Sequence, residues 1–175
     1  MNMIKLLSTC NITTGKLDAN AAVDDGKYPY FTCAPEPLRI DEYAFDDDVI
    51  LLAGNNASGN FHCQRYKGKF NAYQRTYVLI PNNKKYYALL YIVTKETISR
   101  FTRGSAGSIV KFITLGDVQG ITLLDPKNDS MLEMFNLVLD RIEHLQKENQ
   151  DLASLRDFIL PMLMNGQVKV GNPSA

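Results

Sequence analysis

Apolar and polar positions follow one pattern up to about residue 125 and a different one beyond it. In the first stretch, "GKYPYFT" (26–32), "DVILLAG" (48–54), "KFNAYQRTYVLI" (69–80) and "SIVKFITL" (108–115) gather β-branched and aromatic residues into short runs suited to half-buried strands. Gly54, Asn55, Asn56, Gly59, Gly68, Pro81, Asn82 and Asn83 punctuate them as turns. "KYYALLYIVTKETISRF" (85–101) instead has the length and spacing of a helix. "DPKND" (125–129) reads as a linker. Beyond it, Ser130 followed by Glu133 is a capping-box pattern, in which each side chain satisfies an amide left open at a helix start.

From Ser130 to Leu160 the chain holds neither Gly nor Pro, which predicts roughly 46 Å of helix at ~1.5 Å per residue. Phe135, Val138, Ile142, Leu145 and Leu152 recur at alternating three- and four-residue steps, with Asn149 in the vacant place. That is a coiled-coil seam with one polar break. The spacing slips after Leu152, and Leu155, Ile159 and Met162 continue the stripe. Pro161 lacks an amide hydrogen and should kink or end the helix, while Asn165-Gly166 supplies a C-terminal cap. The fold class expected is α+β: a β-rich body over 1–125 and a long helix with its tail over 126–175. Such a helix either lies across the body or meets another long helix. The sequence predicts just one, so the expected partner is a second copy or a different subunit.

Composition sets the frame. With 175 residues, 45% apolar and 22% charged, the chain can bury one sizeable core and is not of the disordered type. No apolar run approaches the ~20 residues of a membrane span, and the opening "MNMIKLLSTC" is no secretory signal. Cys10, Cys33 and Cys63 are odd in number and lack metal-ligand spacing, which suits free thiols in a reducing cytoplasm.

The net charge of zero conceals an asymmetry. Residues 1–48 carry four Lys/Arg against nine Asp/Glu; residues 49–111 carry ten against Glu96 alone; the remainder carries five against nine. A basic block of that kind is a candidate polyanion footprint, unless the fold interleaves it with the acidic first third. Within it, "NAYQRTYVLI", taken as one strand, puts Tyr73, Arg75 and Tyr77 on one face and Gln74, Thr76 and Val78 on the other. Arg and Gln are the side chains that read guanine and adenine edges. "RFTRGSAGSIVKF" (100–112) adds Arg100, Arg103, Ser105, Ser108 and Lys111 around two glycines, able to approach phosphates closely. Arg65, Lys67, Lys69, Lys84 and Lys85 complete the candidate DNA-binding set.

Catalysis finds no foothold. "AGNNASGN" (53–60) lacks the spacing of a phosphate-binding loop. His62 and Cys63 are adjacent and would point to opposite faces of a strand. His144 reads as a solvated or interface residue. Asp46-Asp47-Asp48 lacks the glycine and final glutamate of a calcium loop, and no metal site is expected. "LLDPKND" has one proline, without the Pro-Pro-aromatic pocket that grips a flipped base in amino-methyltransferases.

The succession "GKLDANAA…GKYPYFT", "GKFNAYQRTYVLI", "GSAGSIVKFITLGDVQGITLLDP" and "LRDFILPMLMNGQVKV" resembles the specificity subunit of type I restriction–modification systems, over nearly the whole chain. The tail pattern Leu-Arg-x-x-x-Leu-Pro-x-Leu-x-x-Gly is among its more specific parts. The resemblance implies a DNA target-recognition domain followed by a spacer helix, in a non-catalytic subunit without a cofactor of its own. Its partners would be double-stranded DNA, an adenine methyltransferase subunit using S-adenosylmethionine and, where present, an ATP-driven restriction subunit. A full family member carries two recognition domains and two antiparallel spacer helices; one of each is seen here. A homodimer through Phe135, Val138, Ile142, Leu145, Asn149, Leu152, Leu155 and Ile159 is therefore expected, reading a split palindrome. The alternative is a scaffold module that binds protein through the helix and never touches DNA.

Overall fold

The structure is a computed structural model that describes residues 2–55, 61–104 and 112–167, with only the backbone described at 100–104. It divides into two compact units, Met1–Asn136 and Leu137–Ala175.

The first unit is built on a six-stranded mixed sheet in the order β2-β7-β5-β6-β3-β4. Its strands are β2 (Cys10–Thr14), β3 (Tyr28–Phe31), β4 (Leu38–Ile40), β5 (Phe45–Ala53), β6 (Cys63–Ala72) and β7 (Thr76–Pro81). A separate antiparallel pair joins β1 (Asn2–Lys5) to β8 (Thr122–Asp125). In β5, Val49 to Ala53 are buried without alternation, as expected of a strand flanked on both sides and covered on both faces. Val49, Leu51 and Val78 pack with Phe31, Phe70 and Ala72 on one face. There Phe45 stacks on Phe70 at 5.0 Å, and Tyr66 meets Phe31 and Phe70 edge-on or tilted. Helix α1 (Tyr87–Gly104), entered through a tight turn at Lys84–Tyr86, packs on β5 and β6.

Strands near 26–32 and 48–54 and the helix over 85–101 lie where the sequence places them. The 69–80 run does not form one strand. Tyr73 to Arg75 is a turn, and β6 and β7 flank β5, each antiparallel to it. Phe70 lies opposite Phe45 and Thr76 opposite Ala53, eight residues along β5, or ~26 Å for a straight strand. The six residues from Phe70 to Thr76 reach only about 20 Å fully extended. The sheet must therefore coil strongly, as right-handed strand twist permits. Of the 108–115 run, residues 108–111 lie outside the described residues; Phe112 makes an isolated bridge to Asn55, and α2 (Leu115–Gln119) begins three residues later. A capping box does occur, at Thr114 and Asp117 rather than at Ser130 and Glu133.

Helix α3 runs from Asp129 to Met164, 36 residues or ~54 Å. Its first turn is capped by Asn128, whose Oδ1 accepts from the Ser130 amide at 3.0 Å. Ser130 is already inside the helix. Pro161 does not end it either: the missing amide costs a single bond in the penultimate turn, and the Pro161 carbonyl still accepts from Asn165 N at 3.0 Å. The stop is Gly166 at φ 70°. There Gly166 N donates to Leu163 O and Gln167 N to Met162 O, the paired bonds of a Schellman cap.

Along the second unit, the side chains of the proposed seam are largely solvated. Val138, Ile142, Leu145, Leu152 and Leu155 are each more than 40% exposed. Asn149 is exposed, while Ile159, like Phe135 in the first unit, is half-buried. The described residues hold no helix long and apolar enough to cross a membrane.

Candidate nucleic-acid interface

The Tyr73–Arg75 turn is gripped by backbone on three sides. Tyr73 N donates to Phe31 O at 2.9 Å, and Gln74 N donates to Leu17 O at 3.0 Å. Gly54 N donates to Arg75 O at 2.8 Å. Two glycines make this grip sterically possible. A Cβ at Gly15 would sit 1.7 Å from Ala72 O, and one at Gly54 would sit 2.6 Å from Arg75 O. With its backbone fixed, the turn holds the Gln74 and Arg75 side chains out into solvent.

Gln74 is also oriented from the side. Its Nε2 donates to Asp18 Oδ1 at 2.6 Å, which leaves the amide oxygen as an outward acceptor. Asp18 is steadied in turn by the buried Tyr30, whose hydroxyl donates to Asp18 O at 2.7 Å. Burial, with the Asp18 charge nearby, pushes the Tyr30 phenol up to about 12, so it stays a donor at physiological pH. The result is an exposed guanidinium, amide and carboxylate side by side on a rigid mount, the donor and acceptor mixture that reads base edges. Lys16 is exposed two residues before Asp18. Neither Lys16 nor Asp18 belongs to the candidate set taken from the sequence.

The residue that follows the second basic segment bonds to the same glycine. Ile113 N donates to Gly54 O at 2.8 Å, and Tyr77 OH donates to Ile113 O at 3.0 Å. Gly54 thus bonds the 73–75 turn through its amide and Ile113, the residue after the 100–112 segment, through its carbonyl. Arg100 and Arg103 fall on the last turns of α1, where the backbone alone is described; Ser105, Ser108 and Lys111 lie outside the described residues.

The rest of the basic block is interleaved with acid. Lys67 lies directly across from Asp48, and Lys69 from Asp46, in the β5–β6 register. Lys84 Nζ reaches Asp48 at 3.2 Å. Lys85 Nζ reaches Asp129 at 2.7 Å and Glu133 at 3.5 Å, and the Asp129 hydrogen bond holds that ammonium above its ordinary pKa. Tyrosines take up the remaining faces of these cations. Arg65 lies over the Tyr91 ring at 5.1 Å, Lys67 over Tyr87 at 5.0 Å and Lys69 over Tyr43 at 4.6 Å. The structure therefore joins the Gln74–Arg75 turn to Ile113 through Gly54, and sets Arg65, Lys67, Lys69, Lys84 and Lys85 among acids and aromatic rings.

The thiols are placed for packing. Burial pushes both Cys10 and Cys63 up to about 12, which keeps them protonated and poorly nucleophilic. Among the described residues, no group of three or more His, Cys, Asp or Glu side chains is placed to hold a metal ion.

The model of the type I restriction modification DNA specificity domain covers residues 1–137. The type I restriction enzyme EcoDI specificity subunit of Escherichia coli is 38% identical over 175 residues, 94% of this chain and 38% of that protein. In fold, the S subunit of a type I restriction–modification system from M. genitalium superposes with a TM-score of 0.70 at 18% identity, over 93% of this chain and 45% of that one. The HsdS subunit from Thermoanaerobacter tengcongensis gives 0.50 at 14% identity, over 95% of this chain and 45% of that one. The chain spans less than half the length of each of these relatives. With a family match over more than three-quarters of its residues, on a β-rich body carrying a long helix, the chain belongs to the type I restriction–modification DNA specificity family.

Proposed function

We propose that the chain is a non-catalytic, sequence-specific DNA-binding specificity subunit of a type I restriction–modification methyltransferase complex. Residues 1–125 read DNA and 126–175 form the spacer. The observation that supports this reading is the rigidly held turn that exposes Gln74 and Arg75, with Gly54 bonded both to Arg75 O and to Ile113 N. Arg75 is the guanine reader and Gln74, oriented by Asp18, the adenine reader. Arg103 is the third specificity residue, and Arg100, Ser105, Ser108 and Lys111 supply backbone contacts. Lys67, Lys69, Lys84 and Lys85 add long-range attraction, weakened by their acidic neighbours. The methyltransferase subunit brings S-adenosylmethionine, and a restriction subunit joins where the system restricts. The complex works in the cytoplasm.

The exposed seam of α3 supports a further element, antiparallel pairing with the helix of a second copy through Phe135, Val138, Ile142, Leu145, Asn149, Leu152, Leu155 and Ile159. Twofold symmetry then presents two identical reading turns in opposite directions, so the site is an inverted repeat. A rod of ~54 Å exceeds the ~34–36 Å of one DNA turn, so the half-sites are separated by a non-specific gap. Mapping modified adenines in DNA from cells carrying this chain with its methyltransferase tests the reading. The expected result is a split palindrome modified on both strands. An asymmetric or unsplit site defeats the homodimer. Absence of salt-dependent DNA binding by the assembled complex defeats DNA recognition and leaves the scaffold reading.

A further inference from the structure

Asp18 stands at the start of the short 3₁₀ turn Ala19–Ala21, where an aspartate ordinarily folds back to accept from the amides of that turn. Its side chain makes no such bond. The main-chain oxygen serves the local structure instead, accepting from Ala21 N at 3.1 Å and from the buried Tyr30 hydroxyl at 2.7 Å. The carboxylate is left exposed, and its Oδ1 crosses to Gln74 Nε2, on a turn 56 residues away. Among the described residues, Oδ2 has no partner. The two backbones are locked together as well: Gln74 N donates to Leu17 O at 3.0 Å, and Leu17 forms a parallel bridge with Tyr73. An exposed hydrogen bond such as the one from Gln74 to Asp18 adds little to stability. What it fixes is direction.

A carboxylate only accepts, so the Gln74 nitrogen must face it and the amide cannot flip. The remaining amide hydrogen and Oε1 are then the donor and acceptor that adenine N7 and N6 take. Beside them lies Asp18 Oδ2, an acceptor with nothing to donate. It cannot serve the same base pair. The adenine amine has one hydrogen free of base pairing, which Gln74 takes, and the thymine opposite presents O4, which repels a carboxylate. The next base pair lies only ~3.4 Å along the strand, within reach of a side chain bonded to Gln74. Of the four bases, only cytosine presents an amine there with no acceptor at its side. Adenine sets N7 next to its amine, and guanine and thymine present acceptors.

We propose that Asp18 is a specificity-determining residue that selects a cytosine, through its N4 amine, at the base pair adjoining the adenine read by Gln74. The inference rests on the Gln74 reading given above and adds to it a second base and the residue that chooses it.

Binding measurements on the full chain assembled with its methyltransferase subunit test this, using the target sequence recovered by selection from a random duplex pool. Replacing the selected cytosine with a pyrimidinone that lacks the N4 amine should weaken wild-type binding about tenfold, the loss of one hydrogen bond to a charged group, and leave Asp18→Asn unaffected. Asp18→Asn keeps an acceptor for Gln74 and turns an amide donor outward. Selection with it should return the same adenine beside a guanine or thymine in place of the cytosine. Gln74→Ala should relax the adenine and keep the cytosine, because Asp18 is mounted through its own main chain. Both side chains are exposed, so melting temperatures should stay close to that of the wild type. A target with no cytosine beside the Gln74-dependent adenine overturns the assignment, as does one that Asp18→Asn leaves unchanged or weakens equally on every sequence. If Gln74→Ala still alters a position in those cases, the adenine reading stands without Asp18. If neither variant alters any position, the reading turn falls and the Asp18 assignment with it.

Discussion

Replacing Asn136 with Ala should weaken the attachment of the first two turns of the spacer helix. Asn136 Oδ1 accepts from the Ala88 amide at 3.0 Å, and its Nδ2 donates to the carbonyls of Lys85 at 2.7 Å and Leu132 at 3.0 Å. Ala88 is fully buried in the first turn of α1, where an amide has no acceptor within its own helix. Asn136 is therefore a cap supplied from another element. Alanine strands the Ala88 amide and takes a donor from Lys85 O; Leu132 O loses less, since it keeps its place in the α3 ladder. A buried backbone group left unsatisfied costs ~1–3 kcal/mol, so the two together cost about 2–6 kcal/mol. For a chain of this size, at roughly 2–4 °C per kcal/mol, the melting temperature falls on the order of 10 °C. Thermal and urea unfolding measure the loss, and hydrogen exchange at Ala88 should accelerate in the variant under native conditions. A shift below ~2 °C (less than 1 kcal/mol by the same conversion), or unchanged exchange at Ala88, would refute the capping argument.

Arg75→Ala should cost ~1–3 kcal/mol on the cognate duplex and relax preference at one base pair, measured by titrating the assembled complex with matched and mismatched DNA. Ile142→Asp or Leu145→Asp should abolish self-association by placing an unpartnered charge in an apolar seam, whereas Asn149→Leu should tighten pairing and loosen its register; light scattering at tens of micromolar distinguishes them. Cys10 and Cys63, held near 12, should resist alkylation at pH 8 until the protein unfolds, as read by mass spectrometry with and without denaturant. Their thiols ionise more readily in the unfolded chain, at about 9, so this contribution to stability is intact below pH 9 and falls as pH rises from 9 toward 12.

Much of the architecture was written locally. The strand near 48–54, the helix over 85–101 and the long α3 follow from runs whose periodicity a few neighbouring residues define. The Gly166 stop follows from a glycine that alone tolerates positive φ cheaply. The seam of α3 was legible for the same reason, since a helix face depends on spacing alone. What tertiary structure decided is everything that depends on register between distant segments. Tyr73 to Arg75 became a turn because β6 and β7 both seek β5, whose apolar run offers two edges. Lys67 and Lys69 were drawn opposite Asp48 and Asp46 by that pairing, which turned part of a basic block into a mixed surface. Asp18 entered the site through Tyr30 and Gln74, residues 12 and 56 positions away. Gly54 came to join Arg75 to Ile113 through hydrogen bonds that no local pattern encodes. A residue's own neighbours set its preferred backbone angles, but a strand's partner is chosen by loop closure and core burial across the whole chain.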